Sequence, residues 1–583
     1  MSLITIQLNG KEVQVPTGST ILEACQQHNV YVPTLCNHPR LPSTGGCRVC
    51  AIEVEGMRNL QTACTTIVSE GMVVKTKTDR VASAIQTNLS LLLARHPNTC
   101  MTCESNNRCE FQDLIYRYDV PDTFADFHSE LSAMDESSPS LIRDLNKCIL
   151  CSRCVRACSD IQGLNIYGIA HRGFDSLPLT AFDQPLANTN CINCGQCSAF
   201  CPTGAIIEKS AVHEVLNALE KKEKILIAQT APSTRVAVGE EFGMDSGSVS
   251  TGKMVAALKQ LGFDYVFDTD FSADLTIMEE GSEFLQRVEE GGPFPMFTSC
   301  CPGWVNFVEK YYPEYTENLS SAKSPQQMLG AVIKTYFAKK LNVDPSQIYS
   351  VSIMPCTAKK DEAERPQHSR DGMRDVDAVL TTRELGRLIR IKKIPYATLP
   401  DEAYDNPLGE STGAAVIFGV TGGVMEAALR TAYELKTGKP LPTLNFEPVR
   451  GLEGIKAASV DVNGIEIKVA VTHSMEKAQE LVGQIHRGEV FYHFVEVMAC
   501  QGGCIGGGGQ PYSLDGKILQ KRMASVYSID ERMTLRRSHE NPSIQKIYED
   551  FFDKPLSHLA HDLLHTHYTD RSQKVALEKA IHE

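Results

Sequence analysis

The sequence predicts a multidomain chain, with small α+β modules in front and α/β layers behind. Three observations lead there. At 583 residues the chain is too long for one core. Sixteen of its 21 cysteines precede residue 202, and the last five fall at 300, 301, 356, 500 and 504. Behind the cysteine-dense front, short apolar runs alternate with helical patterns, as in mainly parallel sheets covered by helices.

Met1–Gly10 alternates, with Ile4, Ile6 and Leu8 on one side, and reads as a first strand. Ile21–His28 is amphipathic, which makes Cys25 a small core residue. Farther on, Lys224–Thr230, Pro295–Ser299, Ile348–Met354 and Phe491–Met498 read as strands. Ala211–Lys222, Pro325–Leu341 and Gly423–Leu435 read as helices, the second opening on the cap-and-proline pair Ser324–Pro325. Three cysteine motifs directly follow strands, where open α/β sheets place their sites. Hydrophobic residues (42%) and charged residues (22%) are ordinary for a folded chain. No apolar run approaches about 18 residues, so no membrane span is expected. The N-terminus has neither a basic start nor an apolar stretch of the export type, and a cytoplasmic location is expected. A net charge of −14 argues against nucleic acid as a partner. No Gly-x-Gly-x-x-Gly element follows a strand, so the chain itself is expected to bind no nucleotide.

Twenty-one cysteines in a reducing compartment should not be disulfides, and thiolates grouped this densely hold soft metals or Fe–S clusters. Cys148, Cys151, Cys154 and Cys158 follow C-x2-C-x2-C-x3-C, and Cys191, Cys194, Cys197 and Cys201 repeat it. This is the two-cluster bacterial ferredoxin pattern, in which the fourth cysteine of each run serves the other cluster. Cys148, Cys151, Cys154 and Cys201 should therefore hold one 4Fe–4S cluster, and Cys191, Cys194, Cys197 and Cys158 a second. Zinc rarely takes four thiolates this closely spaced, twice. Cys36, Cys47, Cys50 and Cys64, around the small-residue core Gly45–Gly46, suit a 2Fe–2S cluster, with structural zinc as the alternative. Cys100, Cys103 and Cys109 lack a fourth ligand. His96 upstream can supply it, since imidazole replaces thiolate on iron; a remote cysteine or water is the alternative.

Cys300, Cys301, Cys356, Cys500 and Cys504 lie in Phe297-Thr-Ser-Cys-Cys-Pro-Gly-Trp304, Met354-Pro-Cys-Thr-Ala-Lys-Lys-Asp-Glu362 and Glu496-Val-Met-Ala-Cys-Gln-Gly-Gly-Cys-Ile-Gly-Gly-Gly-Gly509. These resemble the three signature motifs of iron-only (FeFe) hydrogenases, in order and with comparable separations. The likeness runs from the first strand to about residue 568, and the front groups resemble that family's form with four accessory clusters. The resemblance implies ferredoxin-like N-terminal modules followed by a two-lobed α/β catalytic domain: 1–80 for 2Fe–2S, 81–134 for the His/Cys3 4Fe–4S cluster, 135–210 for the paired 4Fe–4S clusters, 211–570 catalytic, and a tail at 571–583. It implies a 4Fe–4S cubane on Cys301, Cys356, Cys500 and Cys504, with Cys504 bridging to a diiron subcluster that carries CO, cyanide and azadithiolate and needs maturation proteins. By the same resemblance Lys359 donates to one cyanide, Ala231, Pro232 and Ser233 surround the other, and Gln326, Met354, Phe418 and Met498 pack around the subcluster. Cys300 is the proton-donating thiol, and Glu280, Glu283, Ser320 and Arg287 form its relay to the surface. Glu280, Glu283 and Arg287 share one helical face, which without the resemblance reads as a solvated face.

The reaction so implied is reversible oxidation of molecular hydrogen, with electrons passed through the front clusters to ferredoxin or to a flavin/NAD(P)-binding partner subunit. Two other classes compete. Eukaryotic Fe–S assembly factors resemble hydrogenases without the diiron subcluster, and the large Fe–S subunit of respiratory complex I matches only residues 1 to about 210. His558, His561 and His565 recur at helical spacing and are expected on a solvated helix.

Overall fold

In the computed structural model residues 2–121 and 133–572 are described. Part of the expected 81–134 module and the tail from 573 onward lie outside them.

The chain opens on a hairpin, β1 (Leu3–Leu8) and β2 (Lys11–Pro16), closed by Asn9 and Gly10 at φ 50° and 80°. Two successive positive φ angles are what a tight hairpin turn needs, and Asn-Gly accepts them. Helix α1 (Ile21–Gln27) starts with a Thr20–Glu23 capping box and buries Ile21, Leu22 and Cys25 against Ile6, Leu8 and Val15. With β3 (Ala51–Val54), β4 (Gln61–Thr62) and β5 (Val73–Lys75) the sheet order is β2-β1-β5-β3-β4. Helix α2 (Asp79–Leu93) turns Val81, Ile85, Leu89 and Leu93 toward Phe111 and Leu114 of α3 (Glu110–Arg117), an i, i+4 stripe of the kind that buries one helix face.

The internal repeat is visible in the backbone. Leu150 and Ser152 take φ 54°, and their counterparts Asn193 and Gly195 take 60° and 67°. Each run then starts a short helix, α4 (Arg153–Arg156) and α5 (Gln196–Phe200). The pair β6 (Leu141–Arg143) and β9 (Ile206–Glu208) closes the module, with the hairpin β7 (Gly168–Ala170) and β8 (Leu177–Leu179) between the runs. Two arginines of α4 bind it to the front. Arg153, 1% exposed, pairs with Glu110 at 2.6 Å and donates to Asn37 O, while Arg156 donates to Cys36 O and Pro42 O.

Behind helix α6 (Val212–Lys221) lie two four-stranded sheets. The first joins β10 (Ile225–Thr230), β11 (Tyr265–Asp268), β13 (Ile348–Met354) and β16 (Ala378–Thr381), all parallel, in the order β11-β10-β13-β16. Period-2 alternation distributes its cores: Leu226 and Ala228 face α6, α7 (Thr251–Leu261) and α13 (Thr382–Ile391), while Ile227 faces α8 (Thr269–Glu290) and α10 (Pro325–Val332). The second sheet has the order β12-β19-β18-β17, from β12 (Met296–Phe297), β17 (Ile455–Val462), β18 (Ile465–His473) and β19 (Phe494–Met498). It is parallel apart from the β17–β18 hairpin. These sheets are the two expected lobes.

Several expectations are corrected here. β12 is two residues long instead of Pro295–Ser299, and β19 begins at Phe494 instead of Phe491, because both edges carry prolines or loops that leave the ladder. The helix expected over Pro325–Leu341 is interrupted by a π-turn at Ile333–Phe337 before α11 (Ala338–Leu341). The histidine helix α19 (His558–Leu564) exposes His558, whereas His565 at its end is 6% exposed. No helix among the described residues is long and apolar enough to cross a membrane.

Candidate metal centre and proton route

All 21 cysteines are free thiols. Among the described residues no three His, Cys, Asp or Glu side chains converge on a single-ion position; two of the cysteine groups line cavities. Cys36 N–H donates to Cys47 Sγ, the sulfurs of Cys50 and Cys64 lie 3.4 Å apart, and the Cys36 thiol interacts with those of Cys47 and Cys64, which joins the four. His96, Cys100, Cys103 and Cys109 line one cavity. His96 is buried, its Nδ1 has no hydrogen-bond partner among the described residues, and a Cβ on Gly204 would stand 3.2 Å from Cys103 Sγ. An unpartnered imidazole nitrogen beside three thiols is a donor set that suits iron.

Cysteines of the two runs interleave, Cys201 of the second lying with three of the first. Cys148, Cys151, Cys154 and Cys201 line one cavity. Burial and then the charges of Cys191 and Cys158 raise the Cys197 thiol. Leu150 N–H points at Cys148 Sγ and Asn193 N–H at Cys191 Sγ, each at 3.4 Å, the same amide-to-sulfur contact in each half of the repeat.

The third group sits between the lobes. Cys301 leaves β12, Cys356 leaves β13 and Cys500 leaves β19, all at carboxyl ends. Burial, followed by the charges of Cys356, Cys301 and Cys504, pushes the Cys500 thiol well above its ordinary value, and burial with neighbouring Cys301 pushes Cys356 up to about 12. Cys504 is likewise raised by burial and then by Cys301 and Cys356, and Cys301 by burial, so the four thiols share one dry volume. The glycine run is packed, not loose. A Cβ on Gly507 would lie 2.2 Å from Pro355 O, and one on Gly508 would lie 2.2 Å from Cys194 O. Close backbone approach there seats the paired-cluster loop directly on the thiol site. Gln196 Nε2 donates to Gly506 O, and Thr357 Oγ1 donates to Asn193 O.

Around this site Ala231, Ser233, Met354, Phe418 and Met498 are buried, and Pro232 lies between the first two in the turn after β10. Lys359 is buried, and its ammonium donates to Cys300 O at 3.1 Å and Glu362 Oε2 at 2.9 Å. Burial disfavours that charge, yet Glu362 holds it above its ordinary value. One of the three ammonium hydrogens is left for a ligand. Gln326 is fully engaged: Nε2 donates to Lys359 O and Glu362, and Oε1 accepts from Ser352.

Of the expected relay residues, Ser320, Glu283 and Arg287 are joined by hydrogen bonds, and Glu280 lies beside Cys300. Burial and then Glu280 raise the Cys300 thiol well above its ordinary value, so it is held protonated. Glu280 is 1% exposed, and neither of its carboxyl oxygens has a hydrogen-bond partner among the described residues. Burial, then the charge of Glu283, pushes it up to about 8. Ser320 Oγ donates to Glu283 Oε2 at 3.0 Å, and Arg287 pairs with Glu283 Oε1 at 2.6 Å, each of these two side chains 12% exposed.

Other functional residues had little or no sequence signal. Glu362 was within reach, since it lies i+3 from Lys359 on α12 (Ala358–Ala363). Gln510, whose Nε2 donates to Ser233 O 277 residues away as well as to nearby Cys504 O, and Arg383, which binds Glu208, Ser198 Oγ and Gln510 O at separations of 175, 185 and 127 residues, act over long range.

Four cysteine-rich groups in front of a thiol site between two sheet lobes are the donor sets of an iron–sulfur oxidoreductase. Family models match in the same order: a 2Fe-2S iron-sulfur cluster binding domain at 2–79, the NADH-ubiquinone oxidoreductase-G iron-sulfur binding region at 86–123, a 4Fe-4S dicluster domain at 147–205, the C-terminal domain of the iron only hydrogenase large subunit at 224–508, and the iron hydrogenase small subunit at 516–571. The NADP-reducing hydrogenase subunit HndD of Solidesulfovibrio fructosivorans is 49% identical over 98% of this chain and 100% of its own. Iron hydrogenase 1 of Clostridium pasteurianum is 43% identical over 97% and 99%. Among solved structures, FeFe-hydrogenase HydA1 of Chlamydomonas reinhardtii shares 45% identity and a TM-score of 0.58 over 62% of this chain and 100% of its own. The chain belongs to the iron-only hydrogenase family.

Proposed function

We propose that Cys301, Cys356, Cys500 and Cys504 hold the catalytic cubane, with Cys504 shared with a diiron subcluster, and that one 2Fe–2S and three accessory 4Fe–4S clusters occupy the front groups. The single observation that carries this is the gathering of four thiols from three strand ends between the lobes. The bound diiron centre supplies the heterolytic splitting or formation of dihydrogen. The protein's own residues supply the rest. Lys359, anchored by Glu362 and Cys300 O, aims its remaining N–H into the site. Apolar Met354, Phe418 and Met498 exclude water. Cys300 holds a proton at Sγ, and Glu280, Ser320, Glu283 and Arg287 move protons between it and the surface.

Clusters held at the Cys301–Cys504 site and by the Cys191 run, whose loop touches Gly508, would supply an electron path toward the front. We assign the acceptor as ferredoxin or a flavin/NAD(P)-binding partner subunit, as the name of the HndD relative supports, with maturation proteins delivering the diiron unit and the chain working in the cytoplasm. Infrared spectroscopy of matured protein tests the site: carbonyl and cyanide bands should be present and should vanish in Cys504→Ala. Bands retained in that variant overturn the bridging role. Co-purification identifies the acceptor.

A further inference from the structure

His565, expected on a solvated face, is instead clamped inside the relay region. Its Nδ1 lies 2.8 Å from Ser321 Oγ, and its Nε2 lies 3.0 Å from Glu279 Oε2. Pairing of the 564–566 stretch with 321–323 sets this register: Lys323 N–H donates to Leu564 O and Thr566 N–H to Ser321 O, both at 2.7 Å. Ser321 in turn touches the relay, with N–H donating to Glu283 and Oγ 3.1 Å from Glu283 Oε2. Glu279 also accepts from Leu556 N–H at 2.9 Å and from Tyr548 Oη.

The hydrogen count makes this arrangement a switch. Ser321 has one hydroxyl hydrogen and two partners at bonding distance. A carboxylate at Glu283 can only accept. For the hydroxyl to donate to Glu283, His565 Nδ1 must carry a hydrogen and donate to Ser321 Oγ. Because Nε2 faces the acceptor Glu279, that state is the imidazolium. In the neutral ring, with hydrogen on Nε2, the Ser321 hydroxyl turns to Nδ1 and Glu283 loses a donor. The ionisable groups around the ring are Glu279 and Glu283 on α8, Tyr548, the exposed His561 stacked on it at 5.0 Å, and Lys323, whose ammonium is engaged by Asp375.

We propose that His565 is a positioning residue of the proton route: through the Ser321 hydroxyl, its charge state sets whether Glu283 releases or holds a proton. Imidazolium adds a donor and a positive charge near Glu283 and favours release inward. Neutral imidazole favours uptake from the Arg287 side. The proposal rests on Glu283 belonging to the relay, and Glu283→Gln separates the two: full turnover in that variant defeats the relay itself.

The test compares His565→Gln, Ser321→Ala and the double variant of the matured enzyme, reading the pH profile of hydrogen evolution at saturating reduced donor. Wild type should show an ionisation that is missing from both single variants, with about a fivefold or larger loss on its favoured side. The double variant should be no worse than either single. The infrared carboxylic-acid band that Glu283→Gln removes should shift in His565→Gln, with cofactor bands unchanged. A wild-type-shaped profile in Ser321→Ala, or additive losses in the double variant, overturns the proposal. Should His565→Gln fail to load cofactor, Ser321→Ala and Tyr548→Phe decide: the first must lose the ionisation and the second must shift it.

Discussion

Glu280→Gln tests whether burial sets the relay's acidity. In the native protein this carboxyl is 1% exposed, has no hydrogen-bond partner among the described residues and is pushed from its ordinary value near 4.5 up to about 8. Below pH 4.5 the group is protonated in both folded and unfolded chains and contributes nothing. As pH rises from 4.5 toward 8 the unfolded chain sheds its proton while the folded one retains it, so native stability falls. A gap of about 3.5 units at about 1.4 kcal/mol per unit gives a ceiling of about 5 kcal/mol, reached near pH 8. Glutamine does not titrate, so the variant escapes that loss. For a domain of about 350 residues, an unfolding entropy of about 2.1 cal/mol/K per residue turns 1 kcal/mol into roughly 1.4 °C. The Tm of Glu280→Gln relative to wild type should therefore climb by up to about 6 °C over the 3 units between pH 5 and pH 8, by calorimetry of the matured proteins. Turnover should drop by about 10²–10⁴-fold, the usual cost of losing a proton-transfer group. A Tm difference that stays flat with pH would show that Glu280 is solvated and that its placement in the relay is wrong.

Cys300→Ser should nearly abolish turnover while infrared bands of the cofactor persist; loss of the bands would make Cys300 a ligand in place of Cys301. Gly508→Ala puts a methyl 2.2 Å from Cys194 O. It should cost about 1–3 kcal/mol and slow hydrogen-driven reduction of the front clusters, followed by electron paramagnetic resonance, with hydrogen isotope exchange kept. Arg383→Gln leaves Glu208, 5% exposed, without its cation and should lower stability by about 3–5 kcal/mol in denaturant unfolding, with most of the loss recovered by adding Glu208→Gln.

Short-range spacing carried much of this protein. The twin C-x2-C-x2-C-x3-C runs announce two clusters because the first three cysteines of each, that close together in sequence, can reach one cluster, and the matching φ angles at 150, 152, 193 and 195 show the local chain folding twice in the same way. Ile348–Met354 was legible because, apart from Ser350 and Ser352, it is built of apolar, aromatic and β-branched residues that suit a buried strand. The β17–β18 hairpin was not, since Ile455–Val462 is half exposed and its pairing depends on the next strand. Spacing could not say that Glu280 stands unpartnered, that Arg383 joins Glu208 across 175 residues, or that His565 lies under Glu279 instead of in water. Those properties are electrostatic and steric. They depend on which distant groups share a dry volume, and only the packed lobes bring those groups within a few ångströms of one another.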